Sequence, residues 1–236
     1  MKSPQRDRRP VLVVGAIGVA MLSLGASGCQ GNLETQARMF RHFGQAHRIQ
    51  TAAVFGRHDV AKDAAAQMRN EAPVPGLPDG SESYVQSLQE SAARVEFSQY
   101  PEVVPAMAAQ MADDCGSCHE AFEVGPLFGV GVIEDSPELG QHMKVHAWAS
   151  ERMWEGLVSR SEESWQAGAT ALSGHRIEPD EYVPAIRHRG TAFMLSSRAH
   201  YLAESSQELT TWEERAGLFS RLTETCYECH NLAGMR

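Results

Sequence analysis

The chain has 236 residues, with 21 Lys and Arg against 30 Asp and Glu, for a formal net charge of −9. At roughly 100–200 residues per domain this is one or two domains with ample chain for a core, and 42% hydrophobic content is too high for a disordered chain. The acidic balance argues against nucleic acid as a partner, which would need a basic face, and no phosphate-cradling glycine loop, HExxH or GxSxG is present.

The first segment reads as an address. Lys2, Arg6, Arg8 and Arg9 precede an unbroken run of 18 apolar or small residues, Val11 to Gly28, which stops at Cys29 behind Ala26-Ser27-Gly28. A basic start, an apolar stretch and small residues at its end predict an export signal over 1–28. The cysteine behind the small residues resembles the lipobox of bacterial lipoproteins, with Ala26 where Leu is usual. That resemblance implies a lipidated Cys29 as mature N-terminus and a lipid-anchored protein on the periplasmic side of a bacterial membrane. Ordinary cleavage after Gly28 and retention as one membrane helix are the alternatives, since 18 residues are only just enough to span. Removing 1–28 takes away a net +3 and leaves about −12.

Helix one is expected over about 34–55, ending at Gly56-Arg57, and helix two over about 59–70 with Asp59 as N-cap. Pro73-Val74-Pro75-Gly76-Leu77-Pro78 then breaks the chain. Helix three covers about 82–97, and helix four begins near Pro101 and carries Cys115-Gly116-Ser117-Cys118-His119. The first unit is therefore drawn over 33–123. The glycine-rich but apolar stretch Gly125 to Gly131 lies in a linker, 124–141, that reads as a strap packed near the first motif. A second unit, 142–236, repeats the plan: Ser161 caps its second helix, and Thr211 with Glu214 makes a capping box for its last, which carries Cys226-Tyr227-Glu228-Cys229-His230. No alternating strand pattern appears, so the fold class expected is all-α.

Two thiols three residues apart on a helical turn can each form a thioether to one haem vinyl group, and the next histidine can then take the iron. Cys-x-x-Cys-His is for that reason read as a c-type haem attachment site. A disulfide, a thioredoxin-like dithiol or half a zinc site would use the same cysteines. Two copies, each with its histidine, and no βαβ pattern argue against them. The cofactors expected are two covalently bound c-type haems, on Cys115, Cys118, Cys226 and Cys229, with His119 and His230 as proximal iron ligands.

The units align with each other. Met39 to Met68 lies on Met143 to Leu172 without a gap, pairing Met39 with Met143, His42 with His146, Arg48 with Arg152, Ile49 with Met153, Val54 with Val158 and Ala65 with Ala169. Met107 and Met111 pair with Leu218 and Leu222. The offset moves from 104 to 111, which places an insertion of about seven residues near Gly174 to Pro184. The second motif is followed only by 231–236, so the residues before it must supply its fold. That placement resembles the class II cytochromes c, of the cytochrome c-prime type, which are four-helix bundles with the attachment motif on the last helix. The resemblance covers essentially the whole mature chain, twice, and implies two tandem four-helix bundles.

On helix one Met39, His42, Ala46, Ile49 and Ala53 share one face, and Met143, His146, Ser150, Met153 and Leu157 repeat the spacing. His42 and His146 are the candidate distal iron ligands, which would give bis-histidine haems. Met39 and Met143 are the alternative, and an open, five-coordinate iron as in the cytochromes c-prime is the third possibility. His47, His58, His142, His175, His188 and His200 have no partner across the repeat and are expected at the surface or on haem propionates. Trp148, Trp154 and Trp165 are expected in the core or in a haem pocket, and the acidic pairs Asp113-Asp114 and Glu162-Glu163 on solvated faces.

The function expected is electron transfer rather than catalysis. An exported dihaem cytochrome would carry electrons between redox proteins in transient docking, or as a subunit of a larger respiratory or photosynthetic membrane complex. The other class is binding or sensing of nitric oxide or carbon monoxide at an open iron. A dihaem peroxidase ranks last, because no acid–base pair stands against a haem site.

Overall fold

The computed structural model describes residues 33–71, 74, 76–131, 139–175 and 189–234. The export signal, Cys29, His188 and most of the expected insertion near Gly174 to Pro184 lie outside the described residues. Eight helices and no strand are found among them: α1 Leu33–Phe55, α2 His58–Asn70, α3 Glu82–Phe97, α4 Val103–Ala121, α5 Leu139–Ser159, α6 Glu162–Gly174, α7 Arg189–Ser206 and α8 Trp212–Leu232. The all-α expectation holds, and both motifs are helical.

Local sequence explains where these helices begin and end. α1 stops because Gly56 takes a left-handed conformation, φ +63°. Its N–H bonds back to Ala53 O and that of Arg57 to Ala52 O, a Schellman ending. α5 ends the same way one repeat later, with Ser161 N–H on Gly156 O, but its left-handed residue is Arg160, φ +53°. Ser161 then caps α6 by accepting from Ser164 N–H, and Thr211 and Glu214 form the capping box of α8. α2 departs from expectation. It begins at His58 behind Arg57, which makes no side-chain cap, so Asp59 sits inside the first turn and acts only on the positive end of the helix.

Packing proceeds by neighbours. α1 lies against α2 and α4, α2 against α3, and α3 against α4; α5 lies against α6 and α8, α6 against α7, and α7 against α8. The quartets meet where α4 touches α5 and α8, and α1 touches α8, all inside one compact unit, Gly31–Arg236. The core carries Ile49, Met111, Met153, Trp154, Leu157, Trp165, Leu218, Phe219 and Leu222, each essentially without exposure. Positions paired by the sequence alignment share this environment: Ile49 with Met153, Ala65 with Ala169, Met111 with Leu222. Burial of such side chains, each worth about 1.5–3 kcal/mol, supplies the main favourable term.

α1 and α5 also meet directly, through large side chains. Phe43 lies 5.3 Å from Trp154, His47 Nε2 3.7 Å from Glu151 Oε1, and Gln50 donates to Ser150 Oγ at 3.4 Å. The numbers rise on one helix as they fall on the other, so the two cross antiparallel. His47 and Glu151 are equivalent under the 104-residue offset, which puts a local two-fold relation at that contact.

Candidate functional site

The four motif cysteines are free thiols, Cys115 and Cys118 on α4, Cys226 and Cys229 on α8. Three residues apart on a helix, each pair shares one side of its turn. Burial pushes the Cys115 thiol up to about 12, with Asp114 and Cys118 adding to the rise and Arg160 opposing it. Cys226 is likewise pushed up to about 12, mainly by burial. Cys118 and Cys229 are raised by burial as well. A dithiol oxidoreductase needs the opposite, a thiol lowered towards neutrality. Among the described residues no group of three or more His, Cys, Asp or Glu is gathered to hold a metal ion, as a structural zinc site would require.

Each motif histidine is held by the far quartet. His119 donates through Nδ1 to Val158 O of α5 at 2.8 Å, and His230 through Nδ1 to Val54 O of α1 at 2.9 Å. Val54 and Val158 are partners in the sequence alignment, so the two contacts are reciprocal. A histidine whose Nδ1–H is fixed on a carbonyl presents Nε2 as a bare lone pair, and its ring orientation is set. Burial lowers the proton affinity of both rings against these bonds, and Arg160 lowers His119 further. Both rings are therefore neutral near pH 7, as an iron ligand must be.

The neighbours of the two rings differ. Phe55 stacks on His230, centroids 4.9 Å apart and planes 8° from parallel. Beside His119 runs the 124–131 segment, where a Cβ on Gly125 would stand 3.3 Å from His119 Cβ. Phe128 anchors that segment on Phe43 at 5.4 Å, and Arg152 holds it through Gly129 O at 2.8 Å.

No protein family, curated protein or solved structure matches the chain. The site must stand on its own geometry.

The residues expected on the distal side lie at the margin of the core. Ala46, Ile49 and Ala53 of the first stripe, and Ser150, Met153 and Leu157 of the second, are buried, whereas Met39, His42, Met143 and His146 are half-buried. His42 Nε2 stands 3.4 Å from Glu71 Oε2, in ion-pair range though not aligned as a hydrogen bond. Burial lowers its proton affinity, with Glu71 pulling the other way. His146 Nε2 donates to His175 O at 2.9 Å, and its ring meets His200 edge-on at 5.2 Å. Burial pushes His146 down to about 4.

Two lesser expectations change. His200 is not at the surface: it is 1% exposed and donates through Nδ1 to Leu172 O at 2.6 Å. Asp113 and Asp114 are not a solvated pair. Asp114 is buried and accepts from Ser87 and Gln110, while Asp113 faces Arg160. Glu162 and Glu163 are exposed, as expected of a solvated face, and Glu162 accepts from both terminal nitrogens of Arg215, which hold its carboxyl below the usual range. Trp154 and Trp165 are fully buried, as expected of core residues, and Trp148 is partly buried against the same core.

Residue-by-residue reading of the sequence passes over Arg160. Its Nη1 stands 2.9 Å from Asp113 Oδ1, and its Nη2 donates to Asp113 O and to Ser117 Oγ inside the first motif. The only sequence signal was its place after α5, where the equivalent residue of the other repeat is Gly56.

Proposed function

We propose that the chain is an exported dihaem c-type cytochrome that moves electrons between redox partners at a membrane surface. Each helical quartet would be a four-helix haem bundle, the two in tandem. The carrying observation is the reciprocal pair of proximal histidines, each beside two free thiols, each with Nδ1 on an equivalent carbonyl and Nε2 left for iron. These residues fit a c-type haem: the two thiols of each motif would form the thioethers and its neutral imidazole would ligate the iron. A haem iron takes four ligands from its own macrocycle, so a cage of protein ligands is not required.

When bound, the haem supplies one-electron Fe(III)/Fe(II) chemistry. The chain's own residues would orient the imidazole that ligates the iron, half-bury the first thiol of each motif and pack it against core side chains. Asp and Glu in excess favour a partner with a basic docking face. A lipid on Cys29 would confine that encounter to a membrane. Among the described residues no helix is long and apolar enough to cross one.

A second reading has support at one site. His146 Nε2 is already bonded to His175 O, which favours an iron open to nitric oxide or carbon monoxide in the second bundle. At the first, His42 stands beside Glu71 with no such backbone bond, so bis-histidine ligation is retained for that haem.

Expression with a c-type maturation system should give a mature chain carrying the mass of two covalent haems. Cys115→Ser/Cys118→Ser and Cys226→Ser/Cys229→Ser should each lose one. Absence of covalent haem overturns the proposal. Reduced spectra with carbon monoxide then separate the readings: binding at one haem in the wild type and at both in His42→Ala would match an open second site beside a His42-ligated first one. Binding at both in the wild type would remove His42 as a ligand, and binding at neither would restore His146 or Met143.

A further inference from the structure

We infer that Arg160, a residue of neither motif, makes the two haem sites electrically unequal and holds the reduction potential of the first above that of the second. This rests on the dihaem reading above. Arg160 takes a left-handed backbone, φ +53°, where its repeat counterpart is Gly56, φ +63°. A side chain in that conformation costs roughly 1 kcal/mol, which glycine avoids. The cost accompanies a guanidinium that is 9% exposed and directed at the first motif. Nη1 faces Asp113 at 2.9 Å, Nη2 donates to Asp113 O at 3.0 Å and to Ser117 Oγ, Nε stands 3.6 Å from Glu120, and the group lies 5.3 Å over Trp212. The motif makes room for it: a Cβ on Gly116 would come within 2.9 Å of the guanidinium and 2.1 Å of Leu157 O.

The second site reverses each element. Tyr227 replaces Gly116 and lies over Gly56, where a Cβ would come within 2.6 Å of its ring. Glu228 stands where the first motif has Ser117, and it faces Arg198 at 3.4 Å on an exposed surface. A second cation near this site, Arg57, is exposed and lies 5.4 Å over the Phe55 ring, which also stacks on His230.

Reduction adds one negative charge to an iron site, so a fixed cation nearby stabilises the reduced state. Guanidinium stays charged at every working pH, and a buried charge is screened less than an exposed one. Asp113, the buried Asp114 beside Cys115 and Glu120 temper the effect, Glu120 least because it is largely exposed. An electron shared by the two haems would then rest on the first, which gives the pair a direction.

The test is a spectroelectrochemical titration of the full holoprotein, its two covalent haems first verified by mass. Wild type should show two separated midpoints. Arg160→Gln should lower the higher one and leave the other in place, Arg160→Lys should restore most of the shift, and Asp113→Asn should raise the same midpoint. Glu228→Gln should raise the lower midpoint alone, which assigns it to the second haem. Midpoints unmoved by Arg160→Gln, moved together, or moved upward overturn the inference. If Arg160→Gln loses the first haem, Asp113→Asn decides: a higher midpoint that fails to rise overturns it. A native protein without two covalent haems would instead sink the dihaem reading itself, before any titration.

Discussion

Two glycines of similar helical appearance should respond to alanine with opposite signs. Gly116 lies inside the first motif, and an added Cβ would stand 2.1 Å from the backbone oxygen of Leu157, which cannot rotate away. Gly116→Ala should separate α4 from α5, at a cost of roughly 1–3 kcal/mol. Gly217 is an exposed residue of α8 with nothing near its missing Cβ, so Gly217→Ala should stabilise by about 0.5–1 kcal/mol. Thermal unfolding of the two variants checks both signs. A third residue, Glu155, carries a pH dependence. Burial pushes its carboxyl up to about 7, although Arg152 Nη2 stands 2.7 Å away and pulls the other way. The folded chain therefore binds this proton more tightly than the unfolded one. The stability it contributes is complete below the ordinary carboxylate pKa of 4.5 and is lost as pH rises towards 7. Glu155→Gln should remove about 1 kcal/mol of the wild type's loss between pH 5 and pH 8, less than the full shift implies because the ion pair compensates. Equal pH slopes for the two proteins would contradict it. The cysteines and histidines of the motifs were legible as a candidate site because the motif is defined by spacing alone. Arg160, Gly116 and Glu155 were not, because their meaning lies in a neighbour more than 40 positions away or in burial that local sequence does not state.

At the scale of elements, the boundaries that rest on local chemistry could be read and those that rest on packing could not. The cap at Ser161 and the box at Thr211 follow from residues within one turn. Asp59 misled because a good capping side chain stood one residue inside a helix whose start is set by the Schellman turn before it. The α8 box has mechanical weight, since this helix carries the second motif and touches α1, α4, α5 and α7. Thr211→Ala removes the acceptor of Glu214 N–H and a donor to the Glu214 carboxylate. It should cost about 1 kcal/mol by denaturant unfolding. Thr211→Ser, which keeps the oxygen, should recover most of it. Arg215 adds a tertiary clamp that no capping rule foresees. It joins α8 to Glu162 of α6, donates twice to Leu209 O, and stacks over Trp212 at 4.4 Å.

For the whole molecule the sequence repeat implied two similar quartets, but an internal alignment says nothing of how they meet. They meet through the sites themselves, with each motif histidine bonded to the first helix of the other quartet. Such a reciprocal contact is what a symmetric dimer of one quartet would make, and the side chains at its ends show why this chain does not need one. Where His119 docks, Gly116 faces Arg160; where His230 docks, Tyr227 faces Gly56. Large meets small at both ends. If residues 33–131 and 139–234 were produced as separate chains, two copies of the second would set Tyr227 against Arg160, ring against guanidinium with no room for both. Two copies of the first would set Gly116 against Gly56 and leave a void. Only the mixed pair satisfies both contacts, by attraction at each end and by exclusion of the second half's self-pairing. Size-exclusion chromatography should therefore show the second half alone as a monomer, the first half alone as a weak self-associating species, and an equimolar mixture as a tighter complex than either. Tyr227→Gly together with Arg160→Gly should let the second half pair with itself. A second half that dimerises as strongly as the mixture without those changes would mean that the unequal residues do not decide which quartet meets which.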